Sequence, residues 1–291
     1  MKNLKKILET RKKLKENSPL IHSITHPIAI NMAANAILAI GANPICAAHP
    51  DEVAEIVNMS DSLSVNLGNI TSERMVAIER ACHTANEKGI PLAIDMVGVG
   101  ASTLRFDFAK KLLEDIHFDL IKGNASEIRA LALGKSSAKG VDVGDADRLR
   151  GENIKNLAKE ACDLAVKYDS IILVTGETDL IVGNDFYIEI KNGVSNLSRI
   201  TGTGCMLTSL VSSFMAVANP VDAALLGLLI MEIAAEKVDT DRLYTFFVNL
   251  MDEIGLISNE EIIEKAKIRE VKFWKNYILW QILIITVKRN F

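Results

Sequence analysis

The chain has 291 residues, 49% of them apolar, so it can bury a core of one large domain or two ordinary ones. A net charge of -4, with Lys and Arg scattered through the sequence, leaves no basic stripe for a nucleic acid. Cys46, Cys82, Cys162 and Cys205 lie far apart with no CxxC pair, a pattern of free thiols in a reducing compartment, and the cytoplasm is the expected location.

Residues 1–17 carry charge through every turn and no apolar h-region, which reads as a surface helix and not a signal peptide. Pro19 to Thr25 reads as a strand, and the small-residue segment Pro27 to Ile40 as a helix closed by Gly41. A second strand is expected over Gly41 to Ala47 and a helix over Pro50 to Met59, with Asp51 and Glu52 in its first turn. Ser62 to Gly68 follows as a strand, Ser72 to Lys88 as a helix ended by Gly89, and Ile90 to Asp95 as a strand. Leu120 to Asn124 and Ile171 to Gly176 are further apolar runs that end in polar turns. The alternation predicts an α/β fold with a mainly parallel central sheet and helices on both faces. Asp179 to Ile190 alternates around Gly183-Asn184-Asp185, as a hairpin at a sheet edge does. Two buried helices, Cys205 to Ala218 and Val221 to Val238, are separated by Asn219-Pro220. The core is expected to end near Ile263, giving one domain over 1–268 and an atypical tail over 269–291. The tail's aromatic and apolar stretch is too short for a bilayer, which takes about 20 helical residues.

In a parallel α/β sheet, ligands bind beyond the carboxyl ends of the strands. Asp95, Lys122 and Thr175 end strands, and Glu127 follows closely on Lys122. Carboxylates at Asp95 and Glu127 suit Mg²⁺, which keeps waters and shares its ligands with phosphates. Lys122 suits phosphate charge, although a strand-end Asp also caps turns, a first-turn Glu belongs in any helix, and a lone Lys is usually solvated. Thr201-Gly202-Thr203-Gly204-Cys205 runs from a loop into a helix, where free backbone N–H groups attract anions and the helix field is expected to lower a thiol pKa. There is no GxxxxGK[ST] loop, no complete GxGxxG and no GxSxG elbow. His22 and His26 lack a third ligand for zinc, and His49, His83 and His117 read as surface or structural.

Six blocks appear in the order found in hydroxyethylthiazole kinases: His22-Ser23-Ile24-Thr25, Leu38 to Pro44, Asp95 to Ala101, Gly123 to Glu127, Val174 to Glu177 and Thr201 to Cys205. The resemblance runs from about His22 to Phe214. It implies a ribokinase-like fold and phosphorylation of 4-methyl-5-(2-hydroxyethyl)thiazole by ATP and Mg²⁺ in thiamine salvage, by homotrimers with active sites between subunits. By position it puts Cys46, His26, Ile28 and Gly202 at the thiazole, and Lys122 and Thr175 at ATP. It puts Asp95 and Glu127 at magnesium, Gly202, Thr203 and Gly204 in an anion hole, and Cys205 at the catalytic base. Four positions depart from the usual pattern: Cys46 for Met, Lys122 for Arg, His26 for Asn and Met96 for Pro. A hydroxymethylpyrimidine kinase of the same fold, a non-catalytic nucleotide-binding regulator and a cysteine hydrolase are the alternatives. The last lacks an evident His and Asn or Asp partner for Cys205.

Overall fold

The computed structural model describes residues 4–134 and 152–273. Its elements alternate from the start: α1 (Leu4–Asn17), β1 (Leu20–Ile24), α2 (Ile30–Ala39), β2 (Asn43–Ile45), α3 (Val53–Met59), β3 (Ser62–Asn66), α4 (Ser72–Lys88) and β4 (Leu92–Asp95). Next come α5 (Thr103–Asp115), β5 (Leu120–Asn124), α6 (Ala125–Leu133), α7 (Glu152–Tyr168) and β6 (Ile171–Thr175). The hairpin strands β7 (Asp179–Val182) and β8 (Phe186–Ile190) precede four helices, α8 (Thr203–Met215), α9 (Pro220–Glu236), α10 (Leu243–Leu256) and α11 (Asn259–Lys265), and the strand β9 (Ile268–Lys272).

One nine-stranded sheet runs β2-β1-β3-β4-β5-β6-β7-β8-β9. Pairing is parallel from β2 through β6 and antiparallel from β6 to β9. Successive side chains along a strand point to opposite faces, and the two buried clusters show it residue by residue. Ile94, Ile121, Ile172 and Val174 join the core under α3 to α7, while their neighbours Ala93, Leu120 and Leu173 join the core under α1, α2 and α8 to α10. Covering both faces explains why the central strands read as continuous apolar runs. The helix α9 is buried along nearly its whole length, which its lack of a polar face foretells.

The strand β9 begins at the expected domain boundary and carries the sheet past it, pairing with β8 from Ile190↔Ile268 to Phe186↔Lys272. Its residues satisfy the outer edge of β8, so the segment Ile268–Lys272 belongs to the sheet and not to a separate tail. Residues 274–291 lie outside the described residues.

Candidate active site

The register of the parallel strands sets one polar row across the carboxyl end of the sheet. Asn66 on β3 is paired with Asp95 on β4, and Asp95 with Lys122 on β5. Lys122 Nζ donates to Asp95 Oδ2 at 2.8 Å, and both side chains are almost wholly buried, 5% and 1% exposed. Burial alone would push the ammonium pKa down, but Asp95 together with Cys205 and Glu127 outweighs it and holds the lysine above its ordinary value. The Thr208 hydroxyl, one turn into α8, donates to the same Asp95 oxygen at 3.0 Å. Asp95 Oδ1 is buried with no partner.

Glu127 closes the row from α6. It forms a capping box with Asn124, accepting from the Asn124 N–H at 2.8 Å while the Asn124 side chain accepts from the Glu127 N–H at 2.9 Å. Its other oxygen accepts from the Gly98 N–H at 2.7 Å, which ties the loop after β4 to the start of α6. Burial and the nearby Asp95 charge raise its pKa, with the two backbone N–H groups pulling it back. Glu127 is therefore both the first-turn helix residue of the plain reading and the second carboxylate of the site.

Opposite this row, Gly202 caps α8 with φ +97°, a left-handed conformation that favours glycine. A Cβ at Gly202 would stand 2.5 Å from Met32 Sδ, so α2 packs directly on the loop. A Cβ at Gly204 would lie 3.2 Å from Lys122 Nζ. The first turn of α8 thus comes up against the Lys122–Asp95 pair, and the free N–H groups of α8 add positive potential there.

Cys205 is buried in this turn, and its Sγ lies 3.3 Å from His26 Nε2. Burial and Asp95 push the thiol up to about 12, against the pull of Lys122 and the Thr25 hydroxyl. The expected lowering by the helix field is overturned, because desolvation at a buried sulfur exceeds what a helix end returns. His26 is pushed the other way, below its ordinary value, by burial and by Arg74. Both shifts favour the neutral forms, the opposite of the thiolate–imidazolium pair that a cysteine nucleophile uses.

The remaining expected residues lie around the periphery. Thr175 ends β6 beside Asn124 and is half-buried. Cys46 follows β2, half-buried, with its thiol raised by burial. Ile28, in the turn before α2, is 64% exposed. Among the described residues no hydrogen bond joins Cys46 to Cys205. His22 is held apart from His26, with Nε2 against the Ala47 carbonyl at 2.9 Å. Three residues of the site were not evident in the sequence: Thr208, Met32 and Arg74, whose buried guanidinium donates to the Gly68 and Asn69 carbonyls. Thr208 had one signal, a hydroxyl one turn past the glycine loop, but Ser209, Ser212 and Ser213 on the same helix carry hydroxyls too.

Comparison with known proteins decides the family. The pattern of the hydroxyethylthiazole kinase family matches residues 11–260. The chain belongs to the hydroxyethylthiazole kinase family. Over 262 residues it is 43% identical to "Hydroxyethylthiazole kinase 1" of Clostridium botulinum, covering 90% of this chain and 99% of that one. A solved hydroxyethylthiazole kinase protein from Pyrococcus horikoshii OT3 superposes with a TM-score of 0.82 at 33% identity, over 92% of this chain and 99% of the other. A ribokinase-like superfamily protein from Enterococcus faecalis V583 shares the fold at a TM-score of 0.53 and 13% identity, over 82% of this chain and 88% of its own. Kinases are phosphotransferases, and that is the activity the family's name carries.

Proposed function

We propose that this chain transfers the γ-phosphoryl group of ATP to the hydroxyl of 4-methyl-5-(2-hydroxyethyl)thiazole, as in thiamine salvage. The observation that carries the reading is the buried Lys122–Asp95 pair set against the N-terminus of α8, a cation and free N–H groups converging on one space. Phosphoryl transfer asks mainly for positioning and charge stabilisation, and that is what these groups supply. The N–H groups of Gly202, Thr203, Gly204 and Cys205 form the anion hole, Lys122 offsets the moving charge, and Thr175 borders the nucleotide.

The donor set also suits Mg²⁺. Asp95 offers an oxygen that has no hydrogen-bond partner among the described residues, and Glu127, near enough to feel the Asp95 charge, supplies a second carboxylate. A divalent ion held by one or two carboxylates and by phosphate oxygens fits that supply. When bound, the ion neutralises charge on the phosphates; Asp95 and Glu127 would hold it. Lys122 and Thr208 position Asp95, and the Gly98 and Asn124 N–H groups position Glu127.

Cys205 is the group placed to take the alcohol proton, and Cys46, His26, Ile28 and Gly202 border the thiazole. An exposed Ile28 is consistent with sites completed by a second subunit. Leu38 on α2 and Tyr244 and Val248 on α10, which packs against α2, are also exposed apolar side chains, and a homotrimer would cover such a surface. The free thiols fit a reducing cytoplasm.

The test is a panel of alcohols with MgATP, comparing kcat/KM. The hydroxyethylthiazole is expected to be preferred. Preference for a hydroxymethylpyrimidine would reassign the substrate, and ATP binding without turnover of any alcohol would leave a nucleotide-binding regulator.

A further inference from the structure

A thiol that stays protonated cannot accept an alcohol proton unless it gives up its own in the same step. For Cys205 the acceptor at hydrogen-bonding distance is His26 Nε2, 3.3 Å from Sγ. The Thr25 hydroxyl also stands beside the sulfur, but it already accepts from the Asn66 amide, which leaves its proton to donate. Both partners are shielded from solvent, with His26 6% and Cys205 5% exposed.

The imidazole is held in this position. A Cβ at Gly68 would stand 2.5 Å from His26 Cδ2, so the ring lies against bare backbone and any side chain at 68 would push it off the sulfur. Arg74 in turn grips the Gly68 and Asn69 carbonyls. The other ring nitrogen, Nδ1, is buried without a partner. Among the described residues no hydrogen bond uses that nitrogen, and with the proton on Nδ1 the ring presents Nε2 as an acceptor.

We propose that His26 is the proton reservoir behind Cys205. The inference rests on Cys205 being the proton acceptor of the proposed reaction. As the substrate O–H bond breaks, its proton bonds to Sγ while the S–H proton passes to Nε2. The substrate oxygen forms its bond to the γ-phosphorus as the bond from that phosphorus to the departing ADP oxygen breaks. The site is left with a neutral thiol and an imidazolium, which releases its proton to solvent once product leaves. Charges facing the ring frame this cycle: Arg74 on α4 opposes the imidazolium and Asp95 on β4 favours it, so the proton is accepted briefly and is not retained. His26 acts through Cys205, as a positioning and proton-holding residue.

The experiment compares His26→Gln in two backgrounds, wild type and Cys205→Asp, in the full chain. An amide cannot carry the proton, so in the wild-type background kcat should fall by about 10²-fold or more, the usual range for a lost proton-transfer partner, with KM for ATP unchanged. The acid limb of the kcat–pH profile, expected below the ordinary histidine value of roughly 6.5, should vanish. In the Cys205→Asp background a carboxylate takes the proton unaided, so the kcat loss from His26→Gln at saturating thiazole should be at least about tenfold smaller than in wild type, whatever the substitution does to KM for the thiazole that His26 borders. Equal losses in both backgrounds, or a loss below about threefold in wild type, would overturn the proposal. A second readout covers a variant that does not fold: ¹⁵N NMR of imidazole-labelled wild-type protein should show Nε2 unprotonated near neutral pH, and a proton on Nε2 with Nδ1 bare would overturn the relay. This tautomer measurement needs no substrate, so failure of the thiazole reading leaves it interpretable.

Discussion

The Lys122–Asp95 pair makes the sharpest prediction about stability. Both side chains are buried, and the carboxylate's remaining support is the Thr208 hydroxyl on the same oxygen, with Oδ1 unpartnered. Lys122→Met keeps most of the side-chain volume but strands a carboxylate in the interior. Removing one member of a buried pair typically costs about 3–5 kcal/mol. At about 2–4 °C per kcal/mol for a chain of this size, Tm should fall by roughly 6–20 °C. Asp95→Asn removes the charge that Lys122→Met leaves stranded. In the double variant the two losses should therefore fall short of additivity by about 1–3 kcal/mol. Urea unfolding of the wild type, the two single variants and the double variant measures this directly. A Lys122→Met protein within about 1 kcal/mol of wild type, or strict additivity across the cycle, would refute the reasoning, because couplings of contacting charges normally exceed that error.

Further predictions follow from the same geometry. Gly202→Val places a branched side chain at φ +97° against Met32 Sδ and in the path of a phosphate, and kcat should fall by about 10²-fold or more, as when an oxyanion donor is lost. Near-normal turnover in a folded Gly202→Val protein would remove the anion hole from this loop. Cys205→Asp should remain active and Cys205→Ala should lose about 10²–10⁴-fold in kcat; an inactive, correctly folded Cys205→Asp would count against proton acceptance at this position. The buried Glu232 carboxyl on α9 is held well above its usual range by burial and by Asp179. A raised folded-state pKa gives stability that is full below the unfolded value of roughly 4.3 and lost as pH rises toward the folded one. Tm of the wild type should therefore decline above that value, and Glu232→Gln should flatten the decline. A wild-type Tm that holds steady from acid to mildly alkaline pH would contradict it.

Much of the scaffold was legible because its signals are local. The helix α4 has the expected bounds, Ser72 to Lys88, since the Thr71 side chain caps its start and Gly89 takes the left-handed conformation at its end. Where bounds moved, a turn with a tertiary purpose had intervened. The helix α2 begins at Ile30 and not near Pro27, because Ala29 N–H bonds back to the His26 carbonyl in a turn that leaves the imidazole inside. The helix α8 begins at Thr203, two residues before the expected start at Cys205, because Gly202 supplies the cap. The strand end announced Asp95, whereas Lys122, expected at a strand end, lies inside β5 two residues before Asn124, and neither strand says that the two would pair. That pairing comes from the sheet register, which no single strand contains. The His26–Cys205 contact spans 179 residues, and the sequence offered His26 as a residue of the thiazole pocket with no sign that it meets the thiol. The thiol's raised pKa was equally hidden, since the helix end is visible in the sequence and the depth of burial is not.

The most direct test of the central claim is ³¹P NMR of a mixture of the full-length chain, ATP, Mg²⁺ and 4-methyl-5-(2-hydroxyethyl)thiazole. The expected result is a new phosphomonoester resonance coupled to the methylene of the hydroxyethyl arm, growing in step with ADP and absent when Mg²⁺ is chelated. Inorganic phosphate as the sole product, or no change in the ATP resonances, would contradict it.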